Sequence, residues 1–106
     1  MAFIETVNQY TPFLYPNQGK RSGRINLYCN TSKLYLIFAD PSVPMSPNSY
    51  SPDTKIGVAY QPFEQYQHYL DLLRNEGPIS ITFRPEDSPP SFVVYSGSEP
   101  PGEGES

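Results

Sequence analysis

Cysteine, histidine and tryptophan are nearly missing from this chain of 106 residues, which has one Cys, one His and no Trp. A single thiol, Cys29, rules out a disulfide framework and a cysteine-rich zinc site. No apolar run approaches the roughly 18 residues that a membrane-spanning helix needs. The first ten residues contain no basic segment followed by an apolar segment. We therefore expect no signal peptide, and we predict a cytoplasmic protein that does not bind membranes.

Residues that commonly carry enzymatic chemistry are equally scarce. His68 falls on the polar side of a predicted helix near Glu64 and Asp71, where a solvated side chain is the usual finding. Cys29 lies on the inward side of a predicted strand, so we expect it to pack as a small apolar residue. The 7 glycines are scattered and form no phosphate-binding loop. We therefore predict that the protein is not an enzyme and uses no cofactor, no metal and no small-molecule substrate.

Negative charge dominates the composition, but it is concentrated at the carboxyl end. Lys and Arg total 7 and Asp and Glu total 11, a net charge of -4, and three of the acids lie in residues 97–106. That segment has no apolar side chain to bury, so we predict a disordered acidic tail. The other 8 acids and 7 bases leave a net charge of -1. Because residues 16–38 hold four cations and no acid, the overall acidity does not exclude a polyanionic partner.

Residues 1–96 are predicted to form a single α+β domain with the element order ββββαββ. The alternation of apolar and polar residues predicts strands at 24–29, 33–38, 55–60, 79–83 and 91–95. A first strand is predicted at 2–15, where Pro12 and Pro16 limit it to an edge strand or a broken strand. Polar loops are predicted at 17–23 and 41–54.

A single amphipathic helix is predicted to begin at Pro62 and to end before Gly77. Proline suits the first helical position because its missing N–H would have no partner there. An apolar stripe recurs at helical spacing, at Phe63, Tyr66, Leu70 and Leu73. We therefore expect a curved, mainly antiparallel sheet with this helix packed on one face.

The same alternation predicts which side chains the sheet leaves uncovered. If the apolar residues of the central hairpin face the helix, the opposite face presents Arg24, Asn26, Tyr28, Lys33, Tyr35 and Ile37. Cations and aromatic rings on one rigid surface are typical of proteins that bind unpaired bases. The predicted nucleic-acid-binding residues are Lys20, Arg21, Arg24, Tyr28, Lys33, Tyr35 and Lys55.

Other interpretations of this chain stay open. Tyr and Lys are ordinary residues of a solvated antiparallel face, and the same face would also suit a homodimer. A protein-interaction or assembly module without a nucleic-acid role would use the 41–54 loop and the exposed sheet edges. A pocket for an apolar ligand between helix and sheet is a further alternative.

Residues 20–77 resemble the curved unit of four strands and a helix found in the Whirly, Pur-alpha and positive-cofactor-four group. The shared features are the hairpin GRINLYCNTSKLYLIFAD, a third strand with Lys55-Ile56-Gly57, and a helix that opens at Pro62-Phe63. Small cyanobacterial proteins look similar in this fold. The resemblance implies single-stranded DNA or RNA as partner, a dimer or larger assembly, and contacts at Lys33, Tyr35 and Lys55. We therefore predict a small accessory protein that binds single-stranded nucleic acid through an aromatic and basic sheet face.

Overall fold

The computed structural model describes residues 2–17, 20–75 and 77–96. Within them the chain forms eight strands, a 3-10 turn at Phe63–Gln65 and one helix, α1, at Tyr66–Asn75. The strands are β1 (Phe3–Thr6), β2 (Gln9–Asn17), β3 (Lys20–Tyr28), β4 (Lys33–Ala39), β5 (Ser49–Ser51), β6 (Ile56–Pro62), β7 (Ile79–Arg84) and β8 (Ser91–Ser96). The predicted α+β class is confirmed. The predicted tail at 97–106 lies outside the described residues.

The strands divide into two sheets, so the prediction of one curved sheet is wrong in this respect. Five strands pair in the order β2-β3-β4-β6-β5 and three in the order β1-β7-β8. All neighbours are antiparallel except β4 and β6. The division begins where Val7 N–H donates to Ile79 O in one sheet and Asn8 N–H donates to Tyr28 O in the other, both at 2.8 Å. The predicted first strand is therefore two strands, and β2 is an edge strand that tolerates its prolines.

Two predicted loops contain strand structure. β2 and β3 remain paired as far as Asn17 opposite Lys20, which shortens the loop predicted at 17–23. Backbone pairing of this kind does not depend on apolar side chains. The loop predicted at 41–54 contains β5, whose Tyr50 ring lies edge-on to Phe3 and Phe83, at 6.2 Å between centroids in each case. The burial of one tyrosine against these rings explains an ordered strand in a polar segment.

The core lies between the five-stranded sheet and a second layer made of α1 and the three-stranded sheet. Its buried side chains are Ile25, Leu27, Leu34, Leu36, Phe38, Ala59, Tyr66, Leu70, Leu73, Ile79, Ile81 and Phe83. The predicted helix stripe is confirmed at Tyr66, Leu70 and Leu73. Phe63 is only partly buried, and it lies in the 3-10 turn that takes the place of the predicted first turn of the helix. The predicted inward residues of the hairpin are buried, except that Cys29 is only partly buried. The Phe38 ring contacts Tyr66 and Tyr69 of α1, with centroids 5.2 and 5.5 Å apart. These rings fill the interface between α1 and the sheet.

Glu5 of β1 joins the two sheets through the turn between β3 and β4. Its carboxylate accepts hydrogen bonds from Thr31 N–H and Ser32 N–H, both at 3.2 Å, from the Ser32 hydroxyl at 3.1 Å, and from the Thr31 hydroxyl. Burial raises the pKa of Glu5, but the hydrogen bonds outweigh this effect and hold the pKa below its usual value. The ionised carboxylate therefore fixes one end of the β3–β4 hairpin against the other sheet.

Candidate nucleic-acid interface

Strand register determines which side chains lie on the side of the five-stranded sheet that faces away from α1. Residues opposite each other in register share a side, and sides alternate along each strand. Ile25 and Leu27 are buried on the inner side, so Arg24 and Tyr28 lie on the other. We call this side the outer face, and its positions are Gln9, Thr11, Phe13, Tyr15, Ser22, Arg24, Asn26, Tyr28, Lys33, Tyr35, Ile37, Ala39, Ser49, Ser51, Ile56, Val58, Tyr60 and Pro62.

Arg24 lies between aromatic rings on the two neighbouring strands. Its guanidinium carbon is 4.9 Å from the centroid of Phe13 in β2 and 5.6 Å from that of Tyr35 in β4. Such cation–π contacts contribute about 0.5–1 kcal/mol each at exposed sites. The Phe13 ring in turn stacks on Tyr15 of the same strand, with centroids 6.4 Å apart. Phe13, Arg24 and Tyr35 therefore place ring, cation and ring on three adjacent strands.

Lys33 and Tyr28 form a second pair of the same kind nearer the β3–β4 turn. They are opposite each other in register, and the Lys33 ammonium lies 5.9 Å from the Tyr28 ring centroid. Lys33 is exposed and Tyr28 is half-buried. A flexible cation therefore lies beside a ring at the edge of the same surface, where it can leave the ring for a ligand phosphate.

Asn26 lies beneath this layer of rings. Only 5% of its surface is exposed, and its Nδ2 donates to the Tyr28 hydroxyl at 3.2 Å. Among the described residues, its Oδ1 has no hydrogen-bond partner, and neither has Nε of Arg24, although both atoms are buried. The outer face therefore contains unpaired polar atoms as well as aromatic and cationic groups.

The electrostatic character of the outer face differs from that of the whole chain. In the described strands, no outer-face position is occupied by Asp or Glu, whereas Arg24 and Lys33 each contribute a positive charge. Acidic residues of the described chain lie elsewhere, such as Asp71 on α1 and Asp53 between β5 and β6. Asp40 lines a cleft together with Arg24, so one carboxylate borders the outer face at that end.

A cleft of about 370 Å³ opens at the end of the outer face, beside the segment that follows β4. Tyr15, Arg24, Ile37 and Val43 are among the residues that line it. At its rim, the Asp40 carboxylate accepts from the Ser42 N–H and hydroxyl at 3.0 and 2.8 Å. The cleft therefore combines a ring, a cation and a carboxylate next to the outer face, and its volume is in the range of small-ligand sites.

The predicted site residues do not all come together. The structure brings Arg24, Tyr28, Lys33 and Tyr35 onto the outer face. Lys55 lies apart, in the β5–β6 turn with φ of 60°, where it lines a groove with Glu5 and Tyr50. Lys20 and Arg21 begin β3, and their side chains lie outside what the structure describes.

Three residues of the site were not predicted from the sequence. Phe13 and Tyr15 belong to the outer face because β2 pairs with β3 so that Phe13 lies opposite Arg24. Their alternation with Pro12 and Leu14 was a usable signal, but the pairing partner of β2 was unknown from sequence. Tyr60 lies on the same face because β6 pairs with β4 in parallel. A sheet of antiparallel neighbours joined by short connections, as expected from the sequence, does not predict this pairing.

Cys29 and His68 take the structural roles that the sequence predicted for them. Cys29 is half-buried against the core, and burial, helped by the nearby Glu5 charge, raises its pKa to about 12. The thiol is therefore a poor nucleophile at neutral pH. His68 is exposed on α1. In the described part of the chain, no three His, Cys, Asp or Glu side chains come together in a group that could hold a metal ion.

Comparison with protein-family models, with curated proteins and with solved structures finds no match to this chain. Across residues 2–17, 20–75 and 77–96, no helix has the length and apolar character that crossing a membrane requires.

Proposed function

We propose that the protein is an accessory protein that binds single-stranded DNA or RNA on the outer face of its five-stranded sheet. One observation carries the proposal: aromatic rings and cations alternate across adjacent strands on a face without acidic residues, with Arg24 between Phe13 and Tyr35. We also propose that residues 20–77 share the fold of the Whirly, Pur-alpha and positive-cofactor-four group, which their sequence pattern resembles.

The chemistry of an unpaired strand matches this surface. Each base has a π-face that stacks on an aromatic ring, which contributes about 1–3 kcal/mol per base and tolerates any sequence. Tyr28, Tyr35 and Phe13 supply rings, and Lys33 supplies a mobile cation for the phosphates. Neighbouring strands lie about 4.8 Å apart, so rings on β2, β3 and β4 are spaced closely enough for consecutive bases.

A duplex is a poorer match for the same residues. Major-groove recognition usually inserts a helix with basic and polar side chains. α1 carries one cation, Arg74, and one acid, Asp71, and its apolar stripe is buried in the core. The rings of the outer face also need unstacked bases, which a duplex does not offer.

The first experiment is a fluorescence-anisotropy titration of the full chain with labelled oligo-dT and oligo-U at low salt. We expect micromolar dissociation constants. Two to four phosphate contacts give a slope of log K against log salt of about -1.4 to -2.8 for a single strand. A flat titration at low salt contradicts the proposal.

Paired tyrosine variants locate the binding surface. Tyr28→Ala with Tyr35→Ala removes two stacking rings, and at about 1 kcal/mol each this weakens binding about 30-fold. Tyr95→Ala is the matched control, because Tyr95 lies in β8 on the side of the three-stranded sheet away from the core. Circular dichroism melts of each variant serve to check that it folds. Equal weakening by the control and the double variant would argue against the outer face.

A second candidate function is a protein-interaction or assembly module, including a homodimer. The favouring observation is exposed apolar surface beside the cleft: Val43 is 41% and Met45 is 52% exposed. Light scattering of the wild type and of Val43→Ser with Met45→Ser distinguishes the two functions. A dimer that the double substitution dissociates, together with absent oligonucleotide binding, would favour assembly over nucleic-acid binding.

A further inference from the structure

We infer that Asn26 reads the edge of an unpaired adenine when the outer face binds a single strand. The inference rests on the proposed function and makes it more specific, since stacking alone selects no base. It starts from buried polar atoms that the fold leaves without partners.

Two buried side-chain polar atoms in the described residues lack hydrogen-bond partners, and both belong to β3. They are Nε of Arg24, a donor, and Oδ1 of Asn26, an acceptor. The two residues are separated by one position, so they share the outer face and lie about 7 Å apart. Unpaired buried polar atoms are uncommon and destabilising, and each one calls for an explanation. Their presence together on a face that carries rings and cations points to a ligand with polar edges.

The orientation of the Asn26 amide does not alter this conclusion. With Nδ2 donating to the Tyr28 hydroxyl at 3.2 Å, the oxygen has no partner. With the amide turned over, the oxygen would accept from that hydroxyl and the nitrogen would lack a partner. One hydrogen-bonding end is therefore unsatisfied in either orientation.

The Tyr28 side chain controls access to the amide. Asn26 is 5% exposed, although it belongs to the outer face. Tyr28 is only half-buried, and its hydroxyl hydrogen bond to Asn26, at 3.2 Å, is at the upper end of the normal range. Rotation of a surface tyrosine is fast. When the Tyr28 ring turns to stack on a base, the amide is released and exposed to that base or to its neighbour.

Adenine is the base whose edge fits an asparagine amide most simply. An amide accepts from the adenine N6 amino group while it donates to a ring nitrogen, and this bidentate pair discriminates well between bases. The neighbouring Nε–H of Arg24 then donates to a phosphate or to an acceptor on the next base. Both unpaired atoms of β3 gain partners in the same complex.

The test compares two oligomers that differ by one amino group. One is oligo-deoxyadenosine, and the other carries unsubstituted purine in place of adenine, which keeps the ring system and removes N6. Full-length wild type, Asn26→Leu and Gln67→Leu are titrated with both by anisotropy. Gln67 is the control amide, because it lies on α1 and donates to Asp71 at 3.0 Å, away from the outer face.

We expect wild type and Gln67→Leu to prefer the adenine oligomer about tenfold and Asn26→Leu to bind both oligomers equally. Asn26→Leu should melt no lower than wild type, because leucine removes an unsatisfied buried amide. If it fails to fold, Asn26→Thr, which also lacks the amide, takes its place. Equal binding of both oligomers by wild type overturns the inference, as does a preference that Asn26→Leu retains. Binding of neither oligomer overturns the proposed function itself.

Discussion

Replacing Glu5 with alanine removes the side chain that joins the two sheets at the β3–β4 turn. Four hydrogen bonds to its carboxylate are lost, two from backbone N–H groups and two from hydroxyls. Hydrogen bonds to a charged group contribute more than neutral ones, but Glu5 is half-buried and water competes for its partners. At about 0.5 kcal/mol for each bond, Glu5→Ala lowers the free energy of unfolding by about 2 kcal/mol. In a domain of this size, that lowers Tm by about 10 °C.

The contribution of Glu5 depends on pH in a defined direction. Hydrogen bonds hold its pKa below the usual value in the folded protein, so the folded state binds its proton less readily than the unfolded state. The stabilisation is therefore fully present above the unfolded pKa and is lost as the pH falls through the folded pKa. The difference between wild type and Glu5→Gln should be constant near pH 7 and should shrink as the pH falls through the range in which the carboxylate takes up its proton.

Urea denaturation followed by circular dichroism at pH 7 and at about pH 3 measures both effects. Glu64→Gln is the matched control. This substitution makes the same chemical change at an exposed residue of the 3-10 turn. The reasoning fails if Glu5→Ala is as stable as wild type. It also fails if the difference between wild type and Glu5→Gln is the same at both pH values.

Three further predictions concern other parts of the molecule. Gly57→Ala should lower the free energy of unfolding by about 1–3 kcal/mol in urea titrations, because its Cβ would lie 2.6 Å from the Phe92 ring. Cys29 should react with a thiol reagent at pH 8 far more slowly than an unfolded control, because its pKa is about 12, and a rate equal to that of the control would contradict this. A chain ending at Tyr95 should bind oligo-dT more tightly than the full chain in low-salt anisotropy, because three acids that compete for the basic face are removed.

The elements with a strong periodic signal were predicted well. Leu27 and Leu34 lie opposite each other on the inner side of the β3–β4 hairpin, and Tyr66, Leu70 and Leu73 form the buried stripe of α1. In both cases, the burial of one face depends on local alternation, which a sequence records directly.

The division into two sheets was not predictable in the same way. The chain passes from one sheet to the other at Val7 and Asn8, where two backbone hydrogen bonds to distant strands decide the geometry. Asn8 is a residue type common in turns, but the local sequence does not identify the distant strands with which Val7 and Asn8 pair. Strand β5 likewise depends on Tyr50 packing edge-on against Phe3 and Phe83, residues far away in the sequence.

The candidate site was predicted only in part, because alternation indicates the side of a strand but not its pairing partner. Arg24, Tyr28, Lys33 and Tyr35 were assigned to one face because period-two alternation fixes the sides of a strand once one side is buried. Phe13 was missed because its place beside Arg24 depends on the register between β2 and β3. Lys55 was grouped with the face, but its turn conformation places it in another groove.

The most direct test of the outer face as a binding surface is an NMR titration of the ¹⁵N-labelled full chain with oligo-dT. We expect the largest changes in amide chemical shift in β2, β3 and β4, including Arg24, Tyr28, Lys33 and Tyr35, with smaller changes in β7, β8 and α1. Changes confined to β7, β8 or α1, or a spectrum that the oligonucleotide leaves unaltered at low salt, would contradict the account.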